Sequence, residues 1–105
     1  PQYADAYFMR AYVYDDLGQY ERAIQDYDEA IRLDPQDAIA YNNRGFAYHD
    51  LGQYERAIQD YDEAIRLDPQ YADAFFNRGI DYEELGRYDR ARRDFEKAKK
   101  LGYDP

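Results

Sequence analysis

Few side chains in this sequence are suited to chemistry. The 105 residues include one histidine, His49, but no cysteine, serine or threonine, so tyrosines carry the only side-chain hydroxyl groups. Nucleophilic catalysis normally needs a hydroxyl or thiol beside a base. His49 is followed by Asp50, yet no further histidine or cysteine is available to complete a first-row metal site. We therefore expect no catalytic residue, no metal site and no cofactor.

Carboxylates are abundant, but their spacing does not suit acid–base catalysis. The pairs Asp15-Asp16 and Glu83-Glu84 are adjacent in sequence, and adjacent residues point to different sides of a helix. No convergent acid–base constellation follows from such pairs. We interpret His49 as a surface histidine, with a pH-sensitive group as the alternative.

Composition narrows the class of protein and of partner. Hydrophobic residues make up 45% and charged residues 35% of the chain, which is typical of a globular domain. The formal net charge of -9 argues against nucleic acid and against an anionic membrane as partners. No apolar run approaches the roughly 20 residues of a membrane span, and no secretory leader is visible. We expect a cytoplasmic protein.

The elements that position these side chains are set by an internal repeat. The stretch DLGQYERAIQDYDEAIRLDP occupies residues 16–35 and returns unchanged at residues 50–69, an offset of 34 residues. A drifted third copy occupies residues 84–103. Such a period indicates a repeat architecture in which each unit buries its apolar face against its neighbours. We divide a single array over residues 1–105 into units 4–37, 38–71 and 72–105.

Each unit is predicted to form two helices. In the second unit, apolar and small residues recur at helical spacing from Tyr41 to Leu51 and again from Tyr54 to Ile65, with Gly52 between them. Asp68-Pro69 ends the second helix, because proline disfavours helix in the residue before it. Gly45 and Gly79 lie inside first helices, and we expect these small residues to let two helices approach closely. The fold class is therefore all-α with six helices.

With these residues the sequence resembles the tetratricopeptide repeat family. The signature positions are supplied by Tyr41, Gly45, Tyr48, Ala57, Tyr61, Ala64 and Pro69, whereas the family's leucine before the glycine is replaced by Arg10, Arg44 and Arg78. The resemblance implies a right-handed α-solenoid whose first helices line a concave groove, and members that are mostly peptide-binding adaptors. We further predict that these arginines pair with Asp26, Asp60 and Asp94 on the second helices.

That geometry implies a candidate peptide site on the first helices. The apolar floor would be built by Phe8, Tyr12, Ile39, Phe46, Phe76 and Ile80, and an acidic margin by Asp15, Asp16, Asp50, Glu83 and Glu84, with Asn42 and His49 on the same surface. Such a groove suits a cationic or amphipathic peptide or helix. The places that match the clamp of chaperone-binding members are Phe8, Tyr12, Asn43, Asp73 and Asn77. Only Asn43 keeps the clamp's residue type, so we expect no binding of an acidic chaperone tail.

The two ends of the array suggest a second function. Arg92 and Lys99 replace the isoleucines of earlier units, so we interpret the last helix, residues 88–101, as a polar cap. The first helix is the most apolar, which predicts self-association through it. The alternative function is therefore a structural module, natural or designed, that stacks head to tail.

Overall fold

The computed structural model describes residues 2–104 and contains six helices in this part of the chain. They are α1 (Gln2–Asp16), α2 (Tyr20–Leu33), α3 (Ala38–Asp50), α4 (Tyr54–Leu67), α5 (Ala72–Glu84) and α6 (Tyr88–Lys100). The predicted all-α class and the six helices are confirmed. Residues 1 and 105, the outer limits of the predicted array, lie outside the described residues.

The helices end at the predicted glycine and Asp-Pro positions. Gly18, Gly52 and Gly86 follow the first helices with φ near 75°, a left-handed conformation that costs glycine little. The second helices α2 and α4 end at Leu33 and Leu67, each followed by an Asp-Pro pair that cannot continue a helix.

Successive helices pack side by side into a helical solenoid. Each helix contacts its neighbours along the chain, and the first helices also touch one another, α1 with α3 and α3 with α5. The Cα trace extends over 39 × 25 × 21 Å. The three first helices therefore form one continuous layer.

Small residues bring the two helices of a unit together. A Cβ atom placed on Gly45 would lie 2.8 Å from Cε1 of Tyr61, and one placed on Gly79 would lie 2.7 Å from Cε1 of Phe95. Ala11 occupies the same place in the first unit and is fully buried. The prediction that small residues permit close approach is confirmed.

Arginine–aspartate pairs also connect the helices, as predicted. Arg44 donates from Nε and Nη2 to the carboxylate of Asp60 at 2.9 and 2.7 Å, and its Nη1 donates to Asp28 of the preceding unit at 2.8 Å. Arg78 repeats this arrangement with Asp94 and Asp62. Arg10 binds only Asp26 among the described residues. Each bridging arginine thus links both helices of its unit to the unit before.

Candidate functional site

A cavity of about 400 Å³ opens on the layer of first helices. Most of its lining residues belong to α1, α3 and α5, and two tyrosines complete it, one from α2 and one that follows α6. The lining consists of Tyr12, Asp15, Asp16, Tyr27, Asn42, Asn43, Phe46, Asp50, Asp73, Asn77 and Tyr103. We call this cavity the groove.

The groove carries negative charge, and no lysine or arginine lines it. Four aspartates are among its lining residues. Burial raises the pKa of Asp15 to about 6; a hydrogen bond from Tyr27 lowers it, and the charges of Asp50 and Asp16 raise it. Burial also raises the pKa of Asp50. The field in the groove therefore favours a cation.

Aromatic and amide groups lie beside these carboxylates. Tyr12 and Phe46 are 50% and 45% exposed, so both rings offer apolar surface to a ligand. The side-chain amide of Asn77 donates to Asn42 Oδ1 at 3.2 Å, which joins α5 to α3 across the groove. A ligand that lies here would meet acidic, amide and aromatic groups within one cavity.

The predicted site residues do not all lie in the groove. Six of them line it, and these are Tyr12, Asp15, Asp16, Asn42, Phe46 and Asp50. Ile39 is 52% exposed and Ile80 is half-buried, but neither lines the groove. Glu83 lies instead in a cleft formed with α6, and Glu84 is exposed.

Phe8 and Phe76 differ from the expected open floor. Phe8 packs edge-on against Tyr27 with ring centroids 5.8 Å apart. Phe76 lies 5.4 Å from the ring of Phe95 and stacks on Tyr103 at 4.2 Å. Neither ring lines the groove, and each packs between the first and second helices of its own unit. The groove is accordingly more polar than expected.

His49 also differs from the simple surface histidine that we expected. Its Nδ1 lies 2.5 Å from Oδ1 of Asp81 on the next first helix, and its ring stacks on Phe46 with centroids 5.5 Å apart. Its side chain is 24% exposed and that of Asp81 is fully buried. His49 therefore contacts the groove residue Phe46 without lining the groove itself.

Sequence reasoning missed Tyr27 and Tyr103 as lining residues. Tyr27 lies on α2, and its phenol oxygen donates to Asp15 Oδ2 at 2.8 Å, so a second helix contributes to the groove. Tyr103 follows α6 and reaches back to Phe76. The helical periodicity gives no signal for either role, because it assigns Tyr27 to the core and does not extend to Tyr103.

Within residues 2–104 there is no group of three or more histidine, cysteine, aspartate or glutamate side chains placed to hold a metal ion. In the same range no helix combines the length and the apolar character needed to cross a bilayer.

Family models match nearly the whole chain. A model described as TPR repeat matches residues 12–52 and 47–86, and one described as tetratricopeptide repeat matches residues 72–104. A comparison with curated proteins found no match.

Solved structures of the same architecture are closely similar. The second TPR of Spaghetti (RPAP3), bound to the HSP90 peptide SRMEEVD, is 37% identical with a TM-score of 0.93, and the match covers 95% of this chain and 93% of that one. The second TPR domain of human RPAP3, in complex with the HSP70 peptide SGPTIEEVD, is 36% identical (TM-score 0.92; 96% and 84% covered). The Arabidopsis OM64 TPR domain is 30% identical (TM-score 0.95; 96% and 84% covered).

Proposed function

The chain belongs to the tetratricopeptide repeat family, and from this membership we propose that it is a protein-interaction adaptor whose groove binds a peptide with basic and apolar residues. The similar RPAP3 domains bind peptides, which supports an adaptor role. The observation that carries the finer proposal is the set of four groove aspartates with no basic side chain among the lining residues.

The negative charge of the groove would select a basic ligand. A lysine or arginine in the groove would offset the negative charges of Asp15, Asp16 and Asp50. Burial is the main cause of the raised pKa of Asp15, and the charges of Asp50 and Asp16 raise it further. Complementary charge mainly speeds association and excludes wrong partners. An acidic peptide would add repulsion to the same carboxylates.

This preference would be opposite to that of the RPAP3 domains, whose peptides end in EEVD. Here Tyr12, Asn43, Asp73 and Asn77 line the groove at the places that match the carboxylate clamp of the chaperone-binding members. Asp73 would repel a carboxylate, and Tyr12 supplies no cation. We therefore propose that this groove does not hold an acidic chaperone tail.

Apolar anchoring would come from two rings. Tyr12 and Phe46 are about half exposed and lie on neighbouring first helices. Aromatic side chains are the usual hot spots of an interface, whereas acids at its rim chiefly affect salt dependence. The ligand would therefore place an apolar side chain against Phe46 and a basic one beside Asp50.

A library of immobilised peptides of the same length as SRMEEVD, with net charge varied from acidic to basic, tests this proposal. We expect wild-type protein to be captured by basic peptides and not by SRMEEVD. Phe46→Asp should weaken capture, and Asp50→Asn should weaken it most at low salt. The matched control is Glu21→Gln, which removes one negative charge from an exposed side chain on α2 outside the groove. Equal capture of acidic and basic peptides, or equal capture by wild type and Phe46→Asp, would refute the proposal.

A second candidate function is self-association through α1. Five of the eight exposed large hydrophobic side chains among the described residues lie at its surface or just beyond it, namely Tyr3, Met9, Tyr12, Val13 and Leu17. Residues 87–105 carry 7 basic and 4 acidic side chains, whereas residues 1–86 carry 7 basic and 19 acidic side chains. Both features favour contacts between copies, one apolar and one electrostatic.

Light scattering over a range of protein concentrations separates these contacts. Apolar association through α1 would persist in high salt and decrease in Met9→Asn, which copies the asparagines at the equivalent places of the other units. Head-to-tail stacking by charge would be lost in high salt. A constant monomer mass at all concentrations would exclude both.

We also propose that α6 closes the array as a polar cap. Ile58 is 5% exposed, whereas Arg92 at the equivalent place is exposed, as is Lys99. Charged side chains on this face keep it soluble without a further neighbour.

A further inference from the structure

A cluster of buried polar groups joins the second unit to the third. Asp81 on α5 is fully buried and lies 2.5 Å from His49 Nδ1 on α3. The hydroxyl group of Tyr61 on α4 is also buried. Among residues 2–104, neither this hydroxyl group nor Oδ2 of Asp81 has a hydrogen-bond partner. The cluster is therefore held mainly by the single contact with His49.

The junction between the first and second units has different residues at the equivalent positions. There Asp15 takes the place of His49, and Tyr27, the equivalent of Tyr61, donates to it at 2.8 Å. The place of Asp81 is held by Ala47, which is fully buried and apolar. The third unit thus replaces an apolar contact with a buried carboxylate, and the packing of the solenoid does not require that carboxylate.

The surroundings of Asp81 make its charge costly. The charged and titratable groups that face it are His49 and Asp50 from α3, Tyr61 from α4 and Glu84 from α5. Burial raises the pKa of Asp81 to about 6; the hydrogen bond and charge of His49 lower it, and the charges of Glu84 and Asp50 raise it.

We propose that His49 and Asp81 form a proton-dependent tie between the second and third units, which is tighter in acidic than in neutral solution and loosens as Asp81 loses its proton. Because the His49 ring stacks on Phe46 and lies 5.5 Å from the ring of Tyr54, the tie also fixes one wall of the groove. The tie does not depend on whether the groove binds a peptide.

The direction of the effect follows from proton linkage. Folding raises the pKa of Asp81 from 3.8 to about 6, so the folded state binds the proton more tightly than the open state. Its stabilising effect is complete below the lower value and is lost as the pH rises through the higher one. Between pH 5 and pH 8 the opening equilibrium of α5 should therefore increase about tenfold.

Amide hydrogen exchange, corrected for intrinsic rates and measured between pH 5 and pH 8, tests the tie in the whole chain. In wild type, we expect the opening of α5 to increase about tenfold over this range. In Asp81→Asn this increase should disappear. Asp81→Ala, which copies the buried Ala47, is the second variant if the asparagine protein folds poorly.

The first unit supplies an internal reference. The pKa of Asp15 is also raised to about 6, so α1 and α2 have a pH response of their own. That response should be the same in wild type and in both variants. If α5 shows the same pH dependence with and without Asp81, or none in wild type, the tie does not exist.

Discussion

Replacing Arg44 by leucine tests the arginine–aspartate ladder. Arg44 makes two hydrogen bonds to Asp60, at 2.9 and 2.7 Å, and Asp60 is only 5% exposed. Leucine would leave that carboxylate buried without its cation. Removing one partner of a buried ion pair typically costs about 3–5 kcal/mol. The lost contact to Asp28 adds little, because that side chain is 54% exposed.

We therefore expect Arg44→Leu to lower the free energy of unfolding by about 3 kcal/mol at pH 7. In a domain of this size such a loss lowers the melting temperature by more than about 10 °C. Urea unfolding followed by circular dichroism gives the free energy, and a thermal scan gives the melting temperature.

The penalty should also depend on pH. Burial raises the pKa of Asp60 and Arg44 lowers it, so without Arg44 the folded-state pKa of Asp60 moves further above its ordinary value. The variant should regain stability as the pH falls towards 4, because Asp60 can then be buried as a neutral acid.

Two further variants identify the cause. Arg44→Leu combined with Asp60→Leu removes both charges and should recover most of the loss, since an apolar pair often replaces a buried ion pair without cost. Arg10→Leu should also destabilise the chain, because Asp26 is only 6% exposed and would lose its cation. Unchanged or increased stability in the single Arg44→Leu variant would refute the reasoning.

The remaining predictions concern packing. Tyr27→Phe should lower the free energy of unfolding by about 1.5–3 kcal/mol, because the Tyr27 hydroxyl group binds a carboxylate. Tyr61→Phe should be neutral or stabilising, because it removes a buried unpaired hydroxyl group. Equal losses of stability in urea unfolding would contradict this pair of predictions. Gly45→Ala should lower stability by about 1 kcal/mol, because overpacking against the Tyr61 ring outweighs the gain in helix propensity; a more stable variant would show that the helices can separate. Arg92→Ile with Lys99→Ile should increase association in sedimentation experiments, and an unchanged monomer would remove the cap proposal.

Periodicity was sufficient to predict most of the fold. The 34-residue offset and the glycine and proline punctuation gave six helices, and the small residues at Gly45 and Gly79 indicated where helices approach closely. The recurrence of arginine and aspartate in register predicted the ladder. These features repeat in each unit, so their positions in one unit predict their positions in the other two.

The groove was harder to predict because its details do not repeat. The resemblance to the family placed Phe8 and Phe76 on the groove face, but it could not show that they pack against Tyr27 and Tyr103. The pairing of His49 with Asp81 joins two units at positions that differ between units. Such contacts depend on how one unit is rotated relative to the next, and the residue periodicity within one unit carries no information about that rotation.

The bridging arginines have a consequence for the cooperativity of unfolding. In a repeat protein, stability is the sum of the intrinsic stability of each unit and the coupling between neighbours. The bonds from Arg44 to Asp28 and from Arg78 to Asp62 belong to the coupling, and they are solvent-exposed, whereas the bonds to Asp60 and Asp94 belong to the unit and are shielded. Added salt screens exposed charges first, so it should broaden the unfolding transition, as units melt more independently, before it weakens any single helical pair.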